Sequence, residues 1–152
     1  MDGDHDIEVC DLVTEEVLRS VFNELAVQEV TLEGMLLKPN MVISGQDCAD
    51  RAGVEEVAAL TLRCLKRAVP AAVPGIVFLS GGQSDEEATL HLNAMNKQAA
   101  TAPWKLSFSY GRALQAAPLK AWGGKPGNLA AAQVAFMERA KANGAATLGS
   151  YA

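Results

Sequence analysis

Apolar residues recur at intervals of three and four positions early in the chain, a spacing typical of an amphipathic helix. Five residues follow it: Val17, Leu18, Val21, Phe22 and Leu25. Thr14 precedes two glutamates, which suit the positive end of a helix dipole. The pattern predicts a helix with Thr14 as its N-cap that ends between residues 26 and 29.

Three more helices follow from spacing and capping signals. Apolar periodicity predicts helices over residues 54–67 and 129–143. Ser84 and Glu87 have the spacing of a capping box, so another helix is predicted to begin there. Gly144 is predicted to be the C′ residue of the last helix, because glycine readily adopts the left-handed conformation.

Three apolar runs, at residues 34–38, 75–80 and 106–110, are predicted to be strands, with a short helix after the third. The first is unbroken, which indicates a strand buried on both faces. Helices separate the strands, so we expect an α/β fold with a parallel sheet and right-handed crossovers. A doubly wound sheet and a slice of an (α/β)8 barrel both fit, although the former lacks a nucleotide-binding glycine fingerprint.

Composition narrows the class of protein. The 152 residues are 49% hydrophobic and 20% charged, so we expect one globular domain over residues 1–152. No apolar run approaches the roughly 18 residues that a membrane span requires. Three scattered cysteines favour a reducing compartment. Two histidines are too few for the usual transition-metal catalytic site, so no metal is expected.

Charge is distributed unevenly around a net value of −5. Residues 1–33 contain ten acidic residues and one basic residue, whereas residues 34–152 contain eight acidic and twelve basic residues. The later part therefore suits an anionic ligand. Basic residues form no dense run interleaved with aromatic residues, so nucleic acid is not an expected partner.

Lys38 stands at the end of the first predicted strand. A lysine placed there is expected to lose hydration, which disfavours the ammonium form and leaves a nucleophilic amine. Such an amine attacks a ketone to form an imine, and the protonated imine withdraws electrons from the neighbouring carbons. A lysine that reaches solvent or pairs with a carboxylate is the alternative that this residue alone leaves open.

The other two strand ends carry groups that suit phosphate. They are Ser80, Gly81 and Gly82 after the second strand, and Ser109, Gly111 and Arg112 after the third. Glycines let backbone N–H groups approach an anion, and a guanidinium can hold phosphate in bidentate fashion. A simple tight turn and a surface ion pair are the alternatives. Barrel enzymes place catalytic residues and phosphate sites at such strand ends.

Several segments are similar to segments of the class I (Schiff-base) fructose-bisphosphate aldolases. Residues 32–42 (LEGMLLKPNMV) resemble the segment that carries the Schiff-base lysine. Residues 78–84 (FLSGGQS), 108–115 (FSYGRALQ) and 120–124 (KAWGG) resemble substrate-binding segments, and residues 2–6 (DGDHD) also match. The likeness extends, in order, over most of the chain.

The resemblance implies a partial TIM (α/β)8 barrel formed by about the last three strands with their helices. It implies reversible cleavage of fructose 1,6-bisphosphate to dihydroxyacetone phosphate and glyceraldehyde 3-phosphate, in glycolysis and gluconeogenesis, without a cofactor. Lys38 would form the imine. The substrate, a sugar phosphate, would be contacted by Ser80, Gly81, Gly82, Ser109, Gly111 and Arg112.

The same resemblance implies a homotetramer that binds neither membrane nor nucleic acid. The cytoplasm is expected, and a plastid stays possible because any transit peptide would precede residue 1. Family chains are more than twice as long, so we expect a C-terminal fragment without the N-terminal strands and their acid and base groups. The alternative is a catalytically inert half-barrel that pairs with full-length aldolase. An aldolase for deoxyribose or keto-deoxy acids is a third possibility, but these segments do not resemble those families.

Overall fold

The computed structural model, which describes residues 1–152, contains five α-helices and three strands, with the last two α-helices in succession. In chain order they are α1 (Ile7–Val27), β1 (Leu36–Leu37), α2 (Val54–Ala68), β2 (Gly75–Phe78), α3 (Asp85–Gln98), β3 (Lys105–Phe108), α4 (Arg112–Trp122) and α5 (Leu129–Ala146). The predicted order of elements is confirmed, and the strands are shorter than the apolar runs. None of the helices combines the length and hydropathy of a membrane span.

The three strands form one parallel sheet in the order β1-β2-β3. Leu37 pairs with Ile76, and Ile76 pairs in turn with Leu106. The predicted parallel sheet is therefore confirmed. Because β1 and β3 each have one strand neighbour, both outer edges of the sheet are open, as in part of a barrel.

The two faces of the sheet have different environments. Side chains alternate between the faces along each strand. Leu37, Ile76 and Phe78 are buried in a core that they share with residues of α2 and α3 such as Leu65 and Leu92. The opposite face is uncovered at β1, where Leu36 is 61% exposed. The prediction that this strand is buried on both faces is therefore wrong.

The predicted start of α1 is also wrong. The helix begins at Ile7, well before the predicted N-cap Thr14. Its N-cap is Asp6, whose carboxylate accepts a hydrogen bond from Val9 N at 2.9 Å. Thr14 is a buried mid-helix residue that accepts a hydrogen bond from Asn40 Nδ2 at 3.2 Å. Polar residues on the buried face of this helix, Asp11 among them, hide the apolar periodicity of its first turns.

The other helix predictions agree with the structure except at one end. Helix α2 matches its predicted range, and both bonds of the capping box that opens α3 are present. Gly144 lies inside α5, which continues to Ala146, so its predicted C′ role is wrong. The N and Oγ atoms of Ser150 both donate to Ala145 O. These bonds pair a carbonyl of the last helical turn, which lies beyond Gly144.

Candidate active site

The carboxyl ends of the three strands meet along one edge of the sheet. Leu79 N donates to Pro39 O at 3.0 Å, and Ser109 N donates to Phe78 O at 2.8 Å. These bonds continue the strand register beyond the strands and set Lys38 and the loops that begin at Ser80 and Ser109 side by side. Six of the seven predicted site residues thus lie at three adjacent strand ends, and Arg112 begins the helix that follows the third, as expected for a parallel sheet.

Lys38 is exposed and has no hydrogen bond or ion pair within the chain. It lines a groove of about 530 Å³ between α1 and the β1 edge, together with Leu37, Pro39 and Leu79. The expectation that Lys38 is desolvated is wrong for this chain. The reason is that Lys38 shares the uncovered face of the sheet with Leu36, where no further element packs over it.

The loop after β2 presents free backbone donors. The N–H groups of Ser80, Gly81 and Gly82 donate to no acceptor within the chain. Gly82 has φ +77°, and a Cβ there would lie 2.9 Å from Ile43 Cδ1, so this position requires glycine. The Met1 side chain packs against both glycines. A run of unpaired N–H groups before a helix is suited to binding an anion.

Arg51 anchors the same loop from the segment that precedes α2. Its Nη2 atom donates to Gly82 O at 3.0 Å, and its Nη1 atom lies 3.4 Å from Glu87 Oε1. Burial opposes ionisation of Glu87, but the bond from Ser84 N and the charge of Arg51 outweigh it and lower the pKa of Glu87. Arg51 therefore connects the capping box with the loop, through its ion pair with Glu87 and its hydrogen bond to Gly82.

His91 fixes the far end of the loop. Its Nδ1 atom lies 2.7 Å from Gln83 Oε1, and the ring is buried. Burial lowers the pKa of His91 to about 4, against a smaller opposing effect of Glu87. The ring is therefore neutral near pH 7.

The loop after β3 carries a free cation. Arg112 is exposed at the first position of α4 and makes no ion pair or hydrogen bond through its guanidinium, so the surface ion pair that the sequence left open is absent. Ser109 is partly buried, and Gly111 N–H has no acceptor within the chain. Ser80 is only 5% exposed, and its hydroxyl oxygen accepts a bond from Ala113 N at 3.4 Å. That bond links the two loops.

The supporting residues Arg51 and His91 were missed in the sequence. Arg51 contacts a residue 31 positions away, and no local pattern signals such a contact. The Gln83–His91 pair is local, and helical spacing from the capping box could have placed His91 on the buried side of α3. No group of three or more His, Cys, Asp or Glu side chains converges at a point that could hold a metal ion.

The class I fructose-bisphosphate aldolase family model matches residues 1–152. The chain is 58% identical over 151 residues to cytosolic fructose-bisphosphate aldolase 4 of Arabidopsis thaliana and 59% identical over 150 residues to human fructose-bisphosphate aldolase B. It superposes with a TM-score of 0.96 on fructose-bisphosphate aldolase from Plasmodium falciparum, at 52% sequence identity.

These matches cover 99% of this chain, but only 38%, 41% and 43% of the three proteins, respectively. The chain therefore spans about two-fifths of the length of the relatives it matches. Their fold agrees with the barrel slice and decides against the doubly wound alternative.

Proposed function

The chain belongs to the class I fructose-bisphosphate aldolase family, and we propose that it carries the imine-forming lysine of an enzyme that reversibly cleaves fructose 1,6-bisphosphate into dihydroxyacetone phosphate and glyceraldehyde 3-phosphate. The observation that carries the proposal is the placement of Lys38 at the sheet edge that also holds two loops with free donors for phosphate.

Lys38 supplies the covalent step. Its neutral amine attacks the ketone carbon of the substrate, and the loss of water leaves an imine. The protonated imine withdraws the electron pair of the bond between the α and β carbons as that bond breaks and the β-hydroxyl group loses its proton to a base, which releases the aldehyde product and leaves an enamine on Lys38. Protonation of the enamine carbon and hydrolysis of the imine then free dihydroxyacetone phosphate and restore the amine. In the complete enzyme, a covered groove would remove water from Lys38 and favour the neutral amine.

Phosphate binding falls to the two loops beside Lys38. Arg112 supplies the positive charge, and the N–H groups of Gly81, Gly82 and Gly111 supply directed donors. Ser80 and Ser109 add hydroxyl groups at the same edge. The phosphate and the ketone belong to one substrate molecule. Donors that hold the phosphate therefore also hold the ketone near the amine.

The acid and base that move protons during cleavage are proposed to come from the part of the relatives that this chain does not match. A homotetramer, a cytoplasmic location and the absence of nucleic-acid partners are likewise proposed from family membership. The plastid stays an open location for the same enzyme. The inert half-barrel alternative is not favoured, because an unbroken match over the whole chain supports the enzyme.

A hybrid enzyme tests the proposal. In it, this chain replaces the matching segment of human fructose-bisphosphate aldolase B, and cleavage of fructose 1,6-bisphosphate is measured. We expect Lys38→Arg to lower kcat by at least about a thousandfold, because arginine cannot form the imine. Lys105→Arg is the matched control, since Lys105 is another exposed lysine of the same sheet. Full activity of the Lys38→Arg enzyme would overturn the proposal.

A further inference from the structure

Arg139 is a half-buried arginine of α5 whose guanidinium contacts two other helices. Its Nε atom donates to Ala113 O at 3.0 Å. Its Nη2 atom donates to Asp85 O at 2.5 Å and to Thr89 Oγ1 at 2.6 Å. Arg139 has no carboxylate partner, so its guanidinium donates only to backbone carbonyl and hydroxyl oxygens.

The two carbonyls that accept from Arg139 belong to the first turns of helices α3 and α4. Asp85 is the first residue of α3, the helix that follows the Ser80–Gly82 loop. Ala113 is the second residue of α4, the helix that follows the Ser109–Gly111 loop. A single side chain therefore joins the starts of the two helices that come directly after the proposed phosphate loops.

Ala113 is bound at both of its peptide groups. Its N–H donates to Ser80 Oγ, and its carbonyl accepts from Arg139. Gly111, the N-cap of α4, has no side-chain capping bond, so these two bonds are the lateral anchors of the first turn. Arg112 lies between the cap and Ala113 and has no partner of its own. The position of Arg112 in the backbone is thus set by a turn that Arg139 holds in place.

Further residues hold Arg139 in its position. Asn143, fully buried one turn further along α5, accepts a bond from Thr89 Oγ1 at 2.7 Å. Thr89 Oγ1 also lies 2.9 Å from Asp85 O. This network fixes the hydroxyl oxygen that Arg139 contacts, and it leaves the guanidinium little freedom to turn toward solvent.

We propose that Arg139 is a positioning residue for phosphate binding, which sets the spacing of the α3 and α4 starts so that Arg112 and the N–H groups of Gly82 and Gly111 converge on one anion. The inference rests on the phosphate site of the proposed function. Arg139 itself does not touch the ligand.

Titration of the 152-residue chain with inorganic phosphate tests the role. The amide resonances of Gly82 and Gly111 are followed in the wild type and in Arg139→Ala, Arg139→Lys and Arg67→Ala. Resonances of the folded chain report the dissociation constant of folded molecules, so a smaller folded fraction lowers their intensity but leaves that constant unchanged. Arg67 is an exposed arginine of α2 that pairs only with Glu15, and it serves as the matched control.

We expect Arg139→Ala to raise the phosphate dissociation constant by about tenfold, equivalent to about 1.4 kcal/mol. Arg139→Lys should recover part of the affinity, because an ammonium can hold one of the two carbonyls. Arg67→Ala should match the wild type. An unchanged constant in folded Arg139→Ala would overturn the inference and leave the proposed function standing. If Arg139→Ala does not fold, an affinity for Arg139→Lys equal to that of the wild type would overturn it. Wild-type glycine resonances that do not shift with phosphate would overturn both this inference and the proposed role of the two loops in phosphate binding.

Discussion

The ring of His91 shows how a single buried residue supports the proposed site. It bonds Gln83, which closes the loop formed by Ser80, Gly81 and Gly82. Burial lowers the pKa of His91 to about 4, below the value of about 6.5 expected in the unfolded chain. The unfolded chain therefore binds a proton at this residue between those two pH values while the folded chain does not. Stability must fall as the pH falls through that window.

Replacing His91 by glutamine is expected to flatten this pH dependence. Between pH 6.5 and 4 the wild type should lose up to about 3 kcal/mol of unfolding free energy more than His91→Gln does. Urea unfolding at a series of pH values measures the difference. His5→Gln controls for the loss of a histidine elsewhere in the chain. Parallel pH curves for the wild type and His91→Gln would contradict the account.

Other residues show where sequence reasoning stops at this scale. Lys38, Gly82 and Arg112 were recognised because their residue types suit the chemistry and because each lies at or shortly after the end of an apolar strand. Arg51 and Arg139 were not, since each contacts carbonyls more than twenty positions away. Backbone carbonyls occur at every residue, so no sequence pattern marks the ones that a distant arginine will hold.

Among the elements, α3 is the one whose start bears most directly on the site. Ser84 Oγ accepts from Glu87 N at 3.1 Å, and Glu87 Oε2 accepts from Ser84 N at 2.7 Å. The capping box was read directly from the sequence because it is a local pattern of four residues. The start of α1 was missed because its buried face carries polar residues, Asp11 and Thr14, which periodicity alone does not detect.

Ser84→Ala is expected to lower the free energy of unfolding by about 1 kcal/mol, because Glu87 N loses its acceptor. Chemical denaturation of the chain measures the change. Ser20→Ala is the matched control, since Ser20 is an exposed serine inside α1, and alanine there should be neutral or slightly stabilising. Equal losses in the two variants would show that the capping box contributes nothing to the start of α3.

The chain presents apolar surface beside the β1 edge of its open sheet. Along α1, exposed apolar residues recur toward the groove that ends at Lys38: Val9, Val13, Val17 and Val21. Leu36 adds to this surface at the edge strand β1. Open strand edges and contiguous apolar surface favour association with other polypeptide. The exposure of Lys38 depends on which elements cover the sheet and not on the sequence around Lys38.

The parallel sheet and the order of elements could be predicted from the alternation of strands and helices. Barrel and doubly wound sheet could not be separated on that basis, since three parallel strands with helical crossovers occur in both. Resemblance over residues 32–42 and 78–84 decided between them, and the structural likeness to the Plasmodium falciparum aldolase agrees. The exposed face of β1 was not predicted, because an unbroken apolar run is typical of a strand that is covered on both faces.

The central claim is that Lys38 forms the covalent bond to substrate, and chemical trapping tests it most directly. The hybrid enzyme is incubated with dihydroxyacetone phosphate, the imine is reduced with borohydride, and the adduct is located by mass spectrometry. The account predicts an adduct on Lys38 and an unmodified Lys105. An adduct on another lysine with Lys38 unmodified, or no adduct while human fructose-bisphosphate aldolase B is trapped under the same conditions, would contradict it.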